Sequence, residues 1–245
     1  RDWRVLMASG AGGVAYISSD LGVKNVSELG AVQDKQLLYG SQGPTSLDLV
    51  PVLGFKLLGL NVRPIFGMSG RGAGRLAFER GEINIDYQTT TAYLRNVVPL
   101  INQGEAVPLF SWGTLDESGQ LVRDPTFPDL PHFAEAYELL HGEKPSGPGW
   151  ESWFSFFTAG FPAMKLLVAP KDTPDEVVNA YQNAVISMKQ DPEYIARKPA
   201  ALGTYEQVTG EAAQRLYELA TDVPQQARSW VRTWLRDEFQ VKIEV

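Results

Sequence analysis

A chain of 245 residues with 44% apolar and 21% charged content can bury one large core or two smaller ones, as a soluble α/β protein does. Its formal charge of −7 supplies no global field for nucleic acid, and no Lys/Arg cluster is interleaved with aromatics, so nucleic-acid binding is set aside. The absence of cysteine removes disulfides, thiolate metal sites and cysteine nucleophiles, and no apolar run approaches the ~20 residues that a membrane span needs.

Two apolar runs, residues 5–8 and 14–17, flank Ser9-Gly10-Ala11-Gly12-Gly13 and read as short strands around a turn. No helical pattern and no Lys-Ser/Thr pair follow those glycines, so a plain turn is expected rather than a phosphate loop. Residues 23–30 suggest a short helix ended by glycine, and residues 36–39 a strand. The strand leads into Ser41-Gln42-Gly43-Pro44-Thr45-Ser46 and a helix over about 47–58, with Gly59 where a left-handed cap is usual. The hydroxyls of Ser41, Thr45 and Ser46 beside free helix amides fit either ordinary N-capping or an anion site.

A second strand, glycine-rich turn and helix follows over residues 62–86, containing Phe66, Gly67, Ser69 and Gly70. This alternation predicts the βαβ rhythm of a mostly parallel sheet. Tyr87, Gln88 and Thr89 then form a polar run after a strand expected to end at Asp86, at the strand ends where open α/β sheets bind ligands. Asp86 reads either as part of that site or as a helix cap or structural ion-pair partner.

Residues 106–149 are rich in turn signals, and His132 and His141 there lack metal-ligand spacing and read as surface or capping residues. The aromatic run over residues 150–161 fits core packing or a pocket wall. Residues 164–169 read as a buried strand. Helices are expected after Thr173-Pro174-Asp175-Glu176, with Val177, Tyr181, Ala184, Val185 and Met188 on the apolar face. Others should run from Asp191-Pro192 to near Gly203, over about 210–221 and over about 224–239, the last with Trp230, Trp234 and Leu235 inward. No Ser/His/Asp set, paired-carboxylate motif or metal cluster emerges, so the expectation is a binding protein with no catalytic residue, cofactor or metal.

Several patches resemble one family. Residues 23–29 are similar to V-K-S-x-x-E-L, and residues 39–46 to Y-G-S-x-G-x-G-S, with Thr45 in place of a glycine. Residues 63–70 parallel a strand ending V-P-Y-x-G, with Phe66 for tyrosine, and residues 81–86 loosely parallel G-x-V-D-x-x-x-D. Pro128-Asp129-Leu130-Pro131 resembles P-D-V-P, and residues 169–174 resemble A-P-x-G-T-P. In this order the patches resemble the extracytoplasmic solute receptors of the tripartite tricarboxylate transporter family, the TctC/Bug receptors.

The resemblance implies a type II periplasmic-binding-protein fold, two α/β lobes around a cleft. Such a protein captures a small organic carboxylate in the periplasm and passes it to membrane transporter subunits in a transient contact, itself monomeric and not inserted in the membrane. By position it implies that Ser41, Gln42, Gly43, Thr45, Ser46 and the loop of Phe66, Gly67, Ser69 and Gly70 bind the ligand, with Asp86, Tyr87, Gln88 and Thr89 beside them. The family's first-lobe loop, P-x-x-x-G-G-x-x-D, has no counterpart, since Gly12-Gly13 lies too close to residues 23–29 and lacks the Asp. Residues 1–35 and 165–245 are therefore expected to form part of a first lobe lacking its N-terminal portion, and residues 36–164 the second. The alternative is an anion-using enzyme or ligand-sensing domain on the same scaffold, with Arg71 and Arg75 as clamps in place of solvated helix-face residues.

Overall fold

The computed structural model describes residues 2–116 and 118–241. The first strands are β1 (Trp3–Ser9) and β2 (Gly13–Ser18), followed by a 3-10 helix at Val26–Val32 and β3 (Leu37–Ser41). Next come α1 (Leu49–Leu57), β4 (Val62–Phe66), α2 (Arg71–Glu79), β5 (Ile85–Thr89), α3 (Thr90–Asn96), α4 (Val98–Asn102) and β6 (Ala106–Ser111). A small hairpin, β7 (Thr114–Leu115) and β8 (Leu121–Val122), precedes α5 (Phe133–His141) and α6 (Gly147–Gly160). The chain closes with β9 (Lys165–Pro170), α7 (Asp175–Met188), α8 (Pro192–Leu202), β10 (Gln207–Val208), α9 (Gly210–Thr221) and α10 (Gln225–Phe239).

The expected strands at 5–8 and 14–17 form, but they do not pair with each other. β1 lies antiparallel between β9 and β10, whereas β2 lies antiparallel between β5 and β6. Residues 10–12 therefore carry the chain from one sheet to the other, and β2 joins the sheet of the region expected to begin at residue 36. The mostly parallel sheet is also corrected: β3 and β4 are parallel, and both three-stranded sheets are antiparallel. Strand direction is set by distant partners, which a local alternation of elements does not encode. Asn84 joins β3 to the start of β5, its amide donating to Leu38 O (3.1 Å) and its Oδ1 accepting from Leu38 N (2.8 Å).

Helix α1 is apolar except for Lys56 in its last turn, and Leu49, Val50, Val52, Leu53 and Phe55 are all buried, as a helix largely enclosed by other elements requires. Pro51 is tolerated in its first turn, where a missing N–H breaks no helix bond. Gly54 lets Trp112, Phe133 and Trp153 approach; a Cβ there would stand 3.0–3.3 Å from their rings. In the aromatic run of α6, Trp153 and Phe157 are fully buried core residues, Trp153 Nε1 donating to Val50 O at 3.1 Å, while Phe156 lines a cavity. From α10, Val231, Trp234 and Leu235 join the same cluster.

The last two amphipathic helices fall where the sequence places them, and α8 stops at Gly203. Helix α7 buries only Val185 of its expected face. Val178 and Val185 are inside, while Val177 and Tyr181 are exposed, because α7 turns its 178/185 stripe toward β1. Strand β9, expected to be buried, is mostly half-exposed, since it pairs on one side only among the described residues.

Candidate functional site

The parallel strands β3 and β4 end side by side, and each delivers a turn to the same end of the sheet. Met68 N donates to Ser41 O at 3.0 Å and holds the two turns together. The first turn is braced from within. Ser41 Oγ accepts from Gly43 N (3.2 Å), Ser46 Oγ donates to Gly43 O (2.8 Å) and accepts from Asp48 N (3.2 Å), and Gln42 N donates to Asp48 Oδ2 (2.6 Å). The hydroxyls of Ser41 and Ser46 are thus spent on the turn itself, as in the capping reading. Thr45, Gln42, Gly67 and Ser69 stand exposed, Gly43, Ser46 and Gly70 half-exposed, and open space lies in front of Gly43, Gly67 and Gly70. Phe66 packs its ring edge-on against Phe239 of α10, with centroids 5.9 Å apart.

The polar run after Asp86 is not a loop. Ile85, Asp86, Tyr87 and Gln88 are consecutive buried residues of β5, paired with β2 from Ile17↔Ile85 to Gly13↔Thr89. They sit behind the turns, around Arg71. The Arg71 guanidinium donates to Gly40 O (2.7 Å), Tyr87 O (3.0 Å) and Asp48 Oδ2 (3.3 Å), and pairs with Asp86 Oδ1. Its Cζ lies 5.1 Å from the Tyr39 ring centroid and 4.6 Å from that of Tyr87. Tyr16 OH donates to Asp86 Oδ2 at 2.7 Å, and Gln88 Nε2 donates to Asp86 Oδ2 (3.1 Å) and to Arg71 O (2.8 Å).

Burial by itself would lower the Arg71 pKa, but the surrounding Tyr39, Asp48, Tyr87 and Tyr16 outweigh it and hold it above the ordinary value. Burial pushes the phenols of Tyr39 and Tyr87 up, against the opposing pull of Arg71.

Asp86, Tyr87 and Gln88 therefore support the turns from behind, with Ser41 beside them, and Thr89 reaches only partial exposure at the strand end. The ion-pair reading of Asp86 holds; the solvated reading of Arg71 does not, and Arg75 pairs with Glu79 along α2. Asp48 was missed altogether. It stands at the start of α1, where an acid reads as a cap, yet it makes no side-chain cap bond and points inward. The one available signal was Arg71 itself, a cation in the first turn of a helix, where the dipole disfavours it and a dedicated acid partner is called for.

A second polar cluster lies where β2 enters its sheet. Thr90 Oγ1 and Tyr205 OH share a hydrogen bond of 2.7 Å, and Tyr205 OH also donates to the buried carboxylate of Asp124. Asp124 Oδ1 accepts from Thr126 N (2.8 Å), and Gln207 Nε2 donates to Tyr205 O (2.8 Å) and Ser9 Oγ (3.0 Å). The cluster ties the β5–β2–β6 side of the molecule to the β10–β1–β9 side. Gly12 is wedged beneath it: a methyl group there would overlap Asp124 Oδ2 and Tyr205 OH. His132 caps α5, its Nδ1 accepting from Glu135 N (3.3 Å) while Glu135 Oε2 accepts from His132 N (2.8 Å). No group of three or more His, Cys, Asp or Glu able to hold a metal occurs among the described residues. No helix of those residues is long and apolar enough to cross a membrane.

The sequence matches no family model, and no curated protein resembles it at the level of sequence. Solved structures do resemble it. An R. palustris protein determined with adipate superposes with a TM-score of 0.60 at 18% identity, over 93% of this chain and 69% of that one. The periplasmic binding protein BugD gives 0.57 at 18% identity, over 99% of this chain and 71% of that one. A TctC solute-binding protein from Polaromonas gives 0.54 at 15% identity, over 94% and 68%. With its turns at the ends of β3 and β4 and its two antiparallel sheets joined through Gly12, the chain has the α/β fold of the TctC/Bug-type periplasmic solute-binding proteins.

Proposed function

We propose that this protein is a periplasmic solute receptor that captures a small organic carboxylate between two lobes and passes it, unchanged, to a membrane transporter of the tripartite tricarboxylate type. The observation that carries the reading is the pair of turns at the ends of β3 and β4, joined by the Met68–Ser41 bond and fronted by open glycines. Backbone N–H groups in such turns recognise a carboxylate without a cationic side chain, which suits a chain of net charge −7. In this reading Gln42, Gly43, Thr45, Ser46, Gly67, Ser69, Gly70 and Thr89 face the solute, while Ser41, Asp86, Tyr87 and Gln88 fix the turns.

The second lobe then runs from about residue 13 to 160. The first comprises residues 3–9 together with 165–221, and α10 returns to the second lobe. Closure shifts the equilibrium toward the form with more solute contacts. The enzyme alternative is weakened because both of its clamps are engaged, Arg71 with Asp48 and Asp86 and Arg75 with Glu79.

Isothermal titration of the intact protein against di- and tricarboxylates, aromatic acids and amino acids tests the proposal. Saturable binding of at least one acid, returned chemically unchanged, is expected. Turnover of the bound acid, or no heat from any of them, overturns it.

A further inference from the structure

A cavity of about 430 Å³ opens beside the first turn, between residues 44–50, the end of α6, the end of α9 and α10. That volume suits a small molecule. Its walls are apolar, with Leu47, Phe156, Ala159 and Val223 half-exposed over the buried Val231 and Leu235, and no acidic residue lines it among the described residues. Among the described residues Arg228 and Arg232 are the only charged side chains in the lining, and both are exposed. They stand one turn apart on α10, where two like charges repel each other. Neither enters an ion pair among the described residues, although Arg236 on the same helix pairs with Asp237 and Glu238 pairs with Lys56. An anion at this rim would relieve the repulsion, and an apolar body behind it would displace water from the walls.

We propose that this cavity is a second ligand site, adjoining the solute-facing turn and sharing Thr45 and Ser46 with it, for a carboxylic acid with one charged head and an apolar body. The carboxylate sits between Arg228 and Arg232 and accepts from their guanidinium groups. The chain or ring of the acid lies along Leu47, Phe156, Ala159 and Val223. Selectivity follows from the lining: a diacid of the same length would bury its second carboxylate among apolar walls without a cation, at a prohibitive desolvation cost. Most of its walls come from α1, α6, α10 and the segments just before α1 and α10, and Ala220 at the end of α9 completes them.

The test is calorimetric titration of the full chain with octanoate and with its eight-carbon diacid counterpart, suberate. One octanoate should bind per chain, with suberate at least tenfold weaker. The doubly substituted R228A/R232A protein, altered only at exposed positions, should bind octanoate at least tenfold more weakly and lose the salt dependence of binding. A159F, which fills the cavity from α6 and leaves both arginines in place, should abolish binding. No octanoate binding by the folded wild-type chain overturns the proposal, as does equal affinity for suberate. Binding that survives the arginine substitutions leaves an apolar cavity and overturns the carboxylate assignment. Binding that survives A159F places octanoate elsewhere and overturns the site.

Discussion

Arg71 on α2 and Asp86 on β5 form an ion pair in which the arginine side chain is 12% exposed and the aspartate 0%. The same guanidinium reaches Asp48 and the carbonyls of Gly40 and Tyr87, so one side chain joins both strand–turn–helix units. Arg71→Met would leave two buried carboxylates without their cation, and a loss of about 3–5 kcal/mol in urea unfolding is expected. Arg71→Lys should recover part of that loss, because an ammonium keeps the charge but not the fork that meets several acceptors at once. Equal stability of the wild type and Arg71→Met would show that the cluster does not hold the turns.

At the passage between the sheets, Gly12→Ala forces a methyl group against Asp124 and Tyr205, and about 1–3 kcal/mol of destabilisation should follow. Tyr205→Phe removes the donor to Asp124 and should cost a similar amount. Combined, the two should cost less than their sum, because the phenylalanine takes away one of the atoms that the new methyl group overlaps. Strict additivity in denaturant titrations would contradict this account.

Substitution of the open turns should separate binding from folding. Gly43→Leu and Ser69→Leu place bulk where no neighbour stands or where the side chain is exposed, so stability should move by no more than about 0.5 kcal/mol. Affinity for a solute identified by titration should fall at least tenfold. Unchanged affinity in both variants would move the solute away from these turns.

His132 gives the protein a pH-dependent helix start. Burial holds its imidazole below the usual value of 6.5, partly offset by Glu135 and reinforced by Arg123. Protonation would also convert the Nδ1 acceptor of the capping box into a donor. The folded state therefore binds this proton less readily than the unfolded chain does. The contribution is complete above about pH 6.5 and is lost as the pH falls through the folded-state value. A cap is worth about 1 kcal/mol, so melting temperatures should decline as the pH falls below about 6.5 in the wild type. His132→Asn keeps an acceptor without a titrating group and should flatten that decline; an unaltered slope would exclude His132 as its source.

Features with local causes were legible in the sequence. The enclosed helix 49–57 announces itself through its apolar run and Gly59, and α9 and α10 through their amphipathic spacing. The two turns were likewise visible as glycine and hydroxyl clusters. What stayed hidden depends on distant partners. Asp86, Tyr87 and Gln88 carry the letters of a loop and are buried only because Arg71, Tyr16 and Gly13 to Ile17 of β2 satisfy them. Asp48 reads as a cap until Arg71 is placed beside it, and the face that α7 buries is settled by β1, more than 160 residues earlier in the chain. The outward arginines of α10 become informative only once Thr45 and Leu47 are seen across the cavity from them.

The central position of β2 and β1 in their sheets also orders the events of folding. β2, at residues 13–18, has neither neighbour until residues 85–89 and 106–111 exist, and β1 must wait for residues 165–170 and then for 207–208. During synthesis β1 and β2 thus emerge well before the strands that enclose them, and they spend that interval with both hydrogen-bonding edges bare. With so many closures over long sequence separations, refolding should be slow for a protein of this size, and its early intermediates prone to association at high concentration. The segment that already holds both partners in sequence, β3 to β4 across α1, is where native structure can first take hold.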